Sequence, residues 1–481
     1  MHAATLTHSP SATVPASRTA AAVSSTRTAP TAPSARTVDA APPAGTAAAT
    51  VPSARAAASA PLQVIGAGAP VPLNDGGTVG YANLDYAASA PCLEAVHEAI
   101  TRALPYYSSV HRGAGYASQV TTDAYEKARE TVRSFLGAWE RDAVVFTRNT
   151  TDAMNLLAHA VPSGTTVIVF ETEHHATLLP WKRAVRLPAP ASPVEAISAA
   201  DRALAEAPAG PRLLVVTAAS NVTGELWPIA ELANVARRHG ARIAVDAAQL
   251  VPHRPLDMKT LGLDYVAFSG HKLYAPFGAG VLAGRGDWLR AAEPYLKGGG
   301  ASASVQNGGG TTQWSTSPEQ RHEAGTPNVL GVIALAAACE ALAGTGWDVL
   351  KEDEERLLAR LRKGLAAIPG VRELTLWGDR SDRVGIVSFV VDGWSARDVA
   401  LTLSGDYGIG VRDGKFCAHP FVHHLLGASE APLEAGGASG AGGCGGGQTS
   451  AVRASFGIGT TEEHVDRLLD ALARIAGGPR G

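Results

Sequence analysis

At 481 residues the chain is long enough for two packed domains with tails, and with 46% hydrophobic and 18% charged residues it can bury a sizeable core. A formal net charge of −3 offers no basic face to nucleic acid or an anionic membrane, and no window of ~18 apolar residues runs free of charge to span a bilayer. The four cysteines, Cys92, Cys339, Cys417 and Cys444, have neither CxxC nor zinc-site spacing, so no metal and no disulfide framework is expected, and a reducing, cytoplasmic setting is.

Residues 1–75 are almost all Ala, Ser, Thr, Pro and Val, with Asp39 the one acidic residue before Asp75. Such a composition cannot bury enough apolar surface to offset chain entropy, and it predicts a disordered tail. It lacks the compact apolar run of a secretion signal, and its scattered prolines would break the amphipathic helix of an organelle transit peptide. A large domain is expected over 76–345. It opens on Asn83-Leu84-Asp85-Tyr86-Ala87-Ala88-Ser89-Ala90-Pro91, with Pro91 read as starting a helix that carries Val96 and Ile100. His111-Arg112-Gly113 follows in a Tyr- and Gly-rich loop, where a histidine is ordinarily just a satisfied loop residue.

An amphipathic helix is predicted over 123–136 and a strand over 143–146, which runs into Arg148-Asn149-Thr150-Thr151-Asp152. Hydroxyls and backbone amides at a strand-to-helix turn make an anion cradle, so Thr150 and Thr151 are phosphate-binding candidates; a plain helix N-cap is compatible with that role. The next strand, 166–170, delivers Glu173-His174-His175. Adjacent histidines point in different directions and no third ligand is evident, which leaves a metal reading weak. A surface helix over 193–207, stopped by Pro208, precedes a strand at 213–217 ending in Ser220-Asn221-Val222-Thr223-Gly224. Asn221-Val222-Thr223 also fits a glycosylation acceptor, discounted without a secretion signal.

Two short apolar runs, 243–245 and 265–268, are each followed at once by chemically capable residues: Asp246 with Gln249, then Ser269-Gly270-His271-Lys272. In open α/β sheets ligands sit beyond the carboxyl ends of the strands, where both clusters fall. A lysine amine forms a Schiff base with an aldehyde, and pyridoxal phosphate (PLP) is the common protein-bound aldehyde. A carboxylate facing its pyridine nitrogen keeps the ring able to accept electrons. Asp246 and Lys272 suit these roles; by themselves they read equally well as a turn cap and a solvated lysine.

Strands separated by helical segments predict a mostly parallel sheet with helices on both faces. After Gly298-Gly299-Gly300 and Glu323-Ala324-Gly325-Thr326-Pro327-Asn328, a helix is expected over 329–342. A smaller α+β C-terminal domain, 346–481, is predicted to hold a long helix to residue 368, a strand over 384–391 and a helix over 395–403. Val411-Arg412-Asp413-Gly414-Lys415-Phe416-Cys417-Ala418-His419-Pro420 comes next, where Cys417 is either an activated thiol or an inert buried one. The 427–450 insertion, rich in Gly, Ala and Ser, should be flexible and holds Cys444; an internal persulfide relay from Cys417 to Cys444 is one reading, an incidental thiol the blander one. Arg453-Ala454-Ser455-Phe456 and a closing helix over 461–476 complete the chain. A guanidinium fork suits a bidentate carboxylate contact.

Asp246-Ala247-Ala248-Gln249 and Ser269-Gly270-His271-Lys272, with Tyr274 and the glycines after it, resemble the PLP site of the class V aminotransferase superfamily, and more narrowly the group II cysteine desulfurases, or selenocysteine lyases. The similar motifs run from about Asn83 to about Ala476. The resemblance implies the PLP-dependent transferase fold type I. It places Thr150, Thr151, His174, Asn221, Asp246, Gln249, Ser269, His271, Lys272 and Thr326 around PLP, with His174 stacked on the ring and Lys272 carrying it. His111, Arg112, Asn221, Arg412 and Arg453 are implied on the substrate. His111 and Thr326 are expected to reach the partner subunit's site, which implies a homodimer with shared active sites. The family usually has Gly where Asn149 stands, and its Arg-x-Gly-His-His-Cys-Ala motif is matched here at Arg412, Gly414, Cys417 and Ala418, with Lys415 and Phe416 replacing the two histidines. The expected activity is conversion of L-cysteine, or selenocysteine, to L-alanine with a persulfide on Cys417 that passes to a sulfur-acceptor protein. Another class V enzyme with an idle Cys417, and a non-catalytic scaffold on the same fold, are the alternatives.

Overall fold

The computed structural model describes residues 61–308, 312–379, 381–427 and 449–478. Its centre is a seven-stranded sheet. Counting the strands of the two larger sheets in chain order, it comprises β1 (Ala143–Thr147), β2 (Thr166–Phe170), β3 (Ala184–Leu187), β4 (Arg212–Thr217), β5 (Arg242–Asp246), β6 (Tyr265–Ser269) and β7 (Gly280–Gly284), in spatial order β1-β7-β6-β5-β4-β2-β3. The run from β6 to β3 is parallel, and β7 lies antiparallel to both β6 and β1.

These strands are apolar without alternation because both faces are covered. Successive side chains point to opposite faces. Leu214, Val216, Val266 and Phe268 therefore enter a core shared with the helices Tyr116–Phe135, Pro193–Glu206, Ile229–Arg238 and Val329–Thr345. Leu213, Val215, Tyr265 and Ala267 enter the opposite core, against Met154 and Leu157 of the Thr150–Ala160 helix. Val329–Thr345 is apolar nearly all round because it packs against both Tyr116–Phe135 and Glu94–Ala103.

A second, antiparallel sheet holds β8 (Val371–Leu374), β9 (Ile386–Val391), β10 (Arg412–Gly414) and β11 (Ala451–Ser455), ordered β8-β9-β11-β10. The helices Trp347–Ala367, Ala396–Tyr407 and Glu462–Gly477 cover it, and Ala82 and Leu84 from the start of the folded chain join the same core.

Several boundaries differ from the sequence reading, four of them for reasons visible in the structure. Part of the stretch assigned to the tail is structured: Pro70–Pro72 pairs with Thr78–Gly80, and Val64 bridges Leu93. The first helix begins at Glu94 rather than Pro91, because the amides of Ala90 and Leu93 donate instead to His271 O and Tyr274 O of the Lys272 loop. The second helix begins at Tyr116, seven residues before Asp123. Its first turns carry buried Ser118 and Thr121, and Thr121 and Thr122 bond back to Ala117 O and Ser118 O, so no apolar stripe announced them. The helix expected to stop near residue 403 continues to Tyr407, where Gly408 takes the left-handed conformation (φ 62°) that caps it. Cys444, with the persulfide relay expected of it, and most of the 1–75 tail lie outside the described residues.

Candidate active site

The carboxyl ends of β1, β2, β4, β5 and β6 open on a cleft of about 440 Å³, closed on its other side by Arg412, Phe416, Cys417 and Arg453 from the second sheet and the turn after it. At the end of β1, Asn149 caps the Thr150–Ala160 helix, its side chain accepting the Asp152 amide at 3.0 Å. Its φ of −172° is extended backbone open to any residue, so the family glycine is not needed there. Glycine is needed opposite, at Gly280, where a Cβ would lie 2.5 Å from Asn149 Cα. Thr150 ties this turn to β6: its amide and its hydroxyl each lie 2.7 Å from Ser269 Oγ. Thr151 is exposed beside it. The site is thus a helix N-terminus with clustered hydroxyls, suited to a phosphate.

At the end of β2, Glu173 is fully buried. Burial pushes its carboxyl well above the usual range, with the Asp246 charge adding to the effect, while Oε1 accepts the Thr217 amide at 3.0 Å. His174 follows. Burial first, then the charges of Lys272, His175 and Arg453, bring its pKa down to about 3, so the ring is neutral; its Nδ1 accepts the Ala176 amide at 3.0 Å. At the end of β5, Asp246 is buried with both oxygens engaged, Oδ2 by Thr177 Oγ1 at 2.7 Å and Oδ1 by the Ala248 amide at 3.0 Å. Gln249 donates to Ala87 O at 2.9 Å.

Lys272 stands at the end of β6. Burial lowers its pKa to about 8 against the pull of Asp246, with Arg453 lowering it further and Cys417 raising it. Burial, with Lys272 next to it, brings His271 to about 4. The loop that carries the lysine is held from below by Tyr274, left-handed at φ 59° and buried, whose hydroxyl accepts the Ile458 amide at 3.0 Å.

From the second sheet, Arg453 is buried on β11, donating to Asn221 O at 3.0 Å and Asp85 Oδ1 at 3.2 Å, with its guanidinium 5.0 Å from the centre of the Phe416 ring. Burial pushes both Arg453 and Asp85 away from their charged forms by more than their mutual attraction restores. Asn221, also buried, donates to Phe416 O at 2.8 Å. Cys417 itself is exposed while Phe416 is buried, so the cysteine is not the buried one of the blander reading.

All the sequence-derived site residues line this one cleft except His111, Arg112 and Thr326. Those three sit around a second cavity of about 720 Å³, where His111 meets Glu126 at 2.7 Å, and within a single chain they do not reach Lys272. Thr177 and Asp85 are contributions that the sequence reading did not assign. A threonine in the four-residue helix His175–Leu178 gives no signal of its own, and Asp85 was noted only as part of an opening motif. Among the described residues no cluster of His, Cys, Asp or Glu could hold a metal.

The donor set fits PLP. It offers an amine that loses its proton around pH 8, a buried carboxylate accepting two hydrogen bonds, a neutral imidazole with a flat face, and a hydroxyl-lined helix N-terminus. Fold and cleft together define a PLP-dependent enzyme of fold type I. The aminotransferase class-V family profile matches residues 82–468. A cysteine desulfurase of Klebsiella pneumoniae (strain 342) is 37% identical over 405 residues, covering 82% of this chain and 93% of the relative. One from Escherichia coli O127:H6 is 35% identical with the same coverage. Among solved structures, the E. coli cysteine desulfurase CsdA superposes with a TM-score of 0.68 at 33% identity, covering 82% of this chain and 94% of that one. The apo cysteine desulfurase of Thermococcus onnurineus NA1 gives 0.71 at 32%, covering 83% and 95%. The chain belongs to the class-V aminotransferase family and, within it, to the cysteine desulfurases.

Proposed function

We propose that this chain takes the sulfur of L-cysteine onto Cys417 and releases L-alanine. The observation that carries the reading is that Cys417 shares one cleft with Lys272 and Arg453. PLP, when bound, supplies an electron-accepting ring conjugated to the substrate's α-carbon. Thr150, Thr151, Ser269 and His271 would hold its phosphate end, Asp246 and Gln249 its ring edge, and His174 its face.

Arg453 holds the substrate carboxylate, with Arg412 at the rim of the cleft. Lys272 Nζ, with its pKa lowered to about 8, takes up and returns the α-proton near neutral pH. Cys417 Sγ attacks the substrate sulfur as a thiolate. The S–S bond forms as the Cβ–S bond breaks, and that electron pair stays on carbon and is protonated. L-Cysteine and the thiol thus become L-alanine and a persulfide, with no external oxidant. Selenocysteine would undergo the same displacement at selenium. An exposed Cys417 suits hand-over of the outer sulfur to a thiol on an acceptor protein.

His111, Arg112 and Thr326, away from the cleft of their own chain, support a homodimer in which they complete the partner's site. Cys92, Cys339 and Cys417 are free thiols, which suits a cytoplasmic setting. Among the described residues no single helix is long and apolar enough to cross a membrane; Val329–Thr345 and Trp347–Ala367 pass only as a pair bent by 85°. The test is mass spectrometry of the Cys417 peptide after L-cysteine is added to PLP-loaded protein without reductant. A gain of one sulfur atom in wild type and none in Cys417→Ser is expected. An unmodified peptide in a PLP-loaded wild type overturns the reading.

A further inference from the structure

We infer that His175 is a positioning residue for Cys417, its backbone N–H and its imidazole Nε2 together pinning the turn that presents the thiol to the cleft. The inference rests on reading Cys417 as the sulfur-accepting thiol.

Phe416 and Cys417 are consecutive non-glycine residues at φ 52° and 53°. L side chains visit that left-handed region mostly as isolated residues, so two in a row persist only where surrounding contacts enforce them. Phe416 packs under the Arg453 guanidinium and shares a buried cluster with Val222 and Phe421, and hydrogen bonds complete the turn. Phe416 O accepts Asn221 Nδ2–H at 2.8 Å, and the Ala418 amide closes the turn on Lys415 O at 2.9 Å. His175 adds two hydrogen bonds, one on either side of the cysteine. Its amide donates to Cys417 O at 2.7 Å, and its Nε2 accepts the His419 amide at 3.4 Å. The two imidazoles meet edge to face, with centres 4.5 Å apart and planes at 69°.

Only an imidazole with a free lone pair at Nε2 can accept that amide. Burial lowers the pKa of His175, which favours the neutral ring. The adjacent His174 turns the other way and lines the cleft, so the two histidines divide the work between cofactor cavity and cysteine turn. The chain lacks the two histidines that the family motif carries immediately before its cysteine; Lys415 and Phe416 stand there. The imidazole hydrogen-bonded to this turn comes instead from His175.

Three variants of the PLP-loaded protein test this: His175→Met, with similar length and no nitrogen acceptor; His175→Gln, with an acceptor at the ε position; and His419→Ala, which keeps the backbone amide. Two rates are read, peptide-resolved alkylation of Cys417 by iodoacetamide and steady-state alanine formation from L-cysteine. A released turn no longer holds the thiol in the one orientation that faces the cleft lined by Lys272 and Arg453, so its attack on substrate and reagent is slower. Losing one hydrogen bond then slows alkylation and kcat about tenfold in His175→Met, with KM and cofactor absorbance unchanged, while His175→Gln recovers most of both rates and His419→Ala stays within about twofold of wild type. Wild-type rates in His175→Met overturn the inference. So does a His175→Gln no better than His175→Met. If wild type makes no alanine, the desulfurase reading falls, while the alkylation series still decides what holds Cys417.

Discussion

Replacing Thr177 by Val removes one hydroxyl and keeps the shape of the side chain. Thr177 is fully buried (0% exposed), and its Oγ1 donates to Asp246 Oδ2 at 2.7 Å. Its carbonyl accepts the Trp181 indole N–H at 2.7 Å, a contact that Val retains. A hydrogen bond to a charged group contributes about 1.5–3 kcal/mol, and with packing preserved that is the expected loss. Thr177→Ser is the control: it keeps the hydroxyl and gives up one methyl, a cost of about 1 kcal/mol. Urea unfolding of the cofactor-free protein should therefore rank wild type, then Thr177→Ser, then Thr177→Val. Asp246 is left with the Ala248 amide on Oδ1, so PLP is also released faster from Thr177→Val, by about tenfold for each 1.4 kcal/mol that the loss weighs on the loaded state. A Thr177→Val protein as stable as Thr177→Ser that holds PLP like wild type would show that the Thr177 hydroxyl does not support Asp246.

Other outcomes follow from the same geometry. Because the Lys272 pKa is lowered to about 8, borohydride trapping of PLP on the apo protein should rise with pH around 8 rather than around 10.5, and Lys272→Ala should abolish it. The unfolded chain binds the extra proton between those values, so this group makes the apo protein more stable as pH climbs from 8 to 10.5, visible in urea titrations. Burial pushes the Glu354 carboxyl up, but His253 and Arg254 pull it further down. Its contribution is therefore present above the ordinary 4.5 and lost as pH falls through the lower folded value; Glu354→Gln should cost about 3–5 kcal/mol at neutral pH by unpairing a buried cluster. Asn149→Ala should cost about 0.5–2 kcal/mol by removing the cap of the Thr150–Ala160 helix, with Asn149→Gly milder, again read by urea unfolding. Arg453→Lys loses the fork that meets Asn221 O and Asp85, and should raise the KM for L-cysteine by about tenfold or more with cofactor absorbance unchanged.

The sheet was legible because its strands are short apolar runs ending in polar residues, as in 243–246 and 265–269, and the chemistry collects where those runs end. The resemblance then supplied what periodicity lacks, above all the weight given to Cys417 and Arg453, which come from a distant part of the chain to close the cleft. What escaped has physical reasons. Thr177 acts through a single hydroxyl on a four-residue helix, and Asp85 through a pairing with a residue 368 positions away, so neither leaves a local pattern. The early start of the helix at Tyr116 was hidden by serine and threonine side chains that bond to their own backbone. His111, Arg112 and Thr326 gather at a second cavity, so a single chain does not join them to the cleft that the resemblance implies for them.

The central claim is that Cys417 takes sulfur from a substrate held by Arg453 beside Lys272. Its most direct test is alanine released from L-cysteine by the PLP-loaded protein with a thiol reductant, comparing wild type with Cys417→Ala. Wild type should release alanine and sulfide in equal amounts, and the variant neither, with its cofactor absorbance intact. Alanine formed at the wild-type rate by Cys417→Ala would contradict the claim.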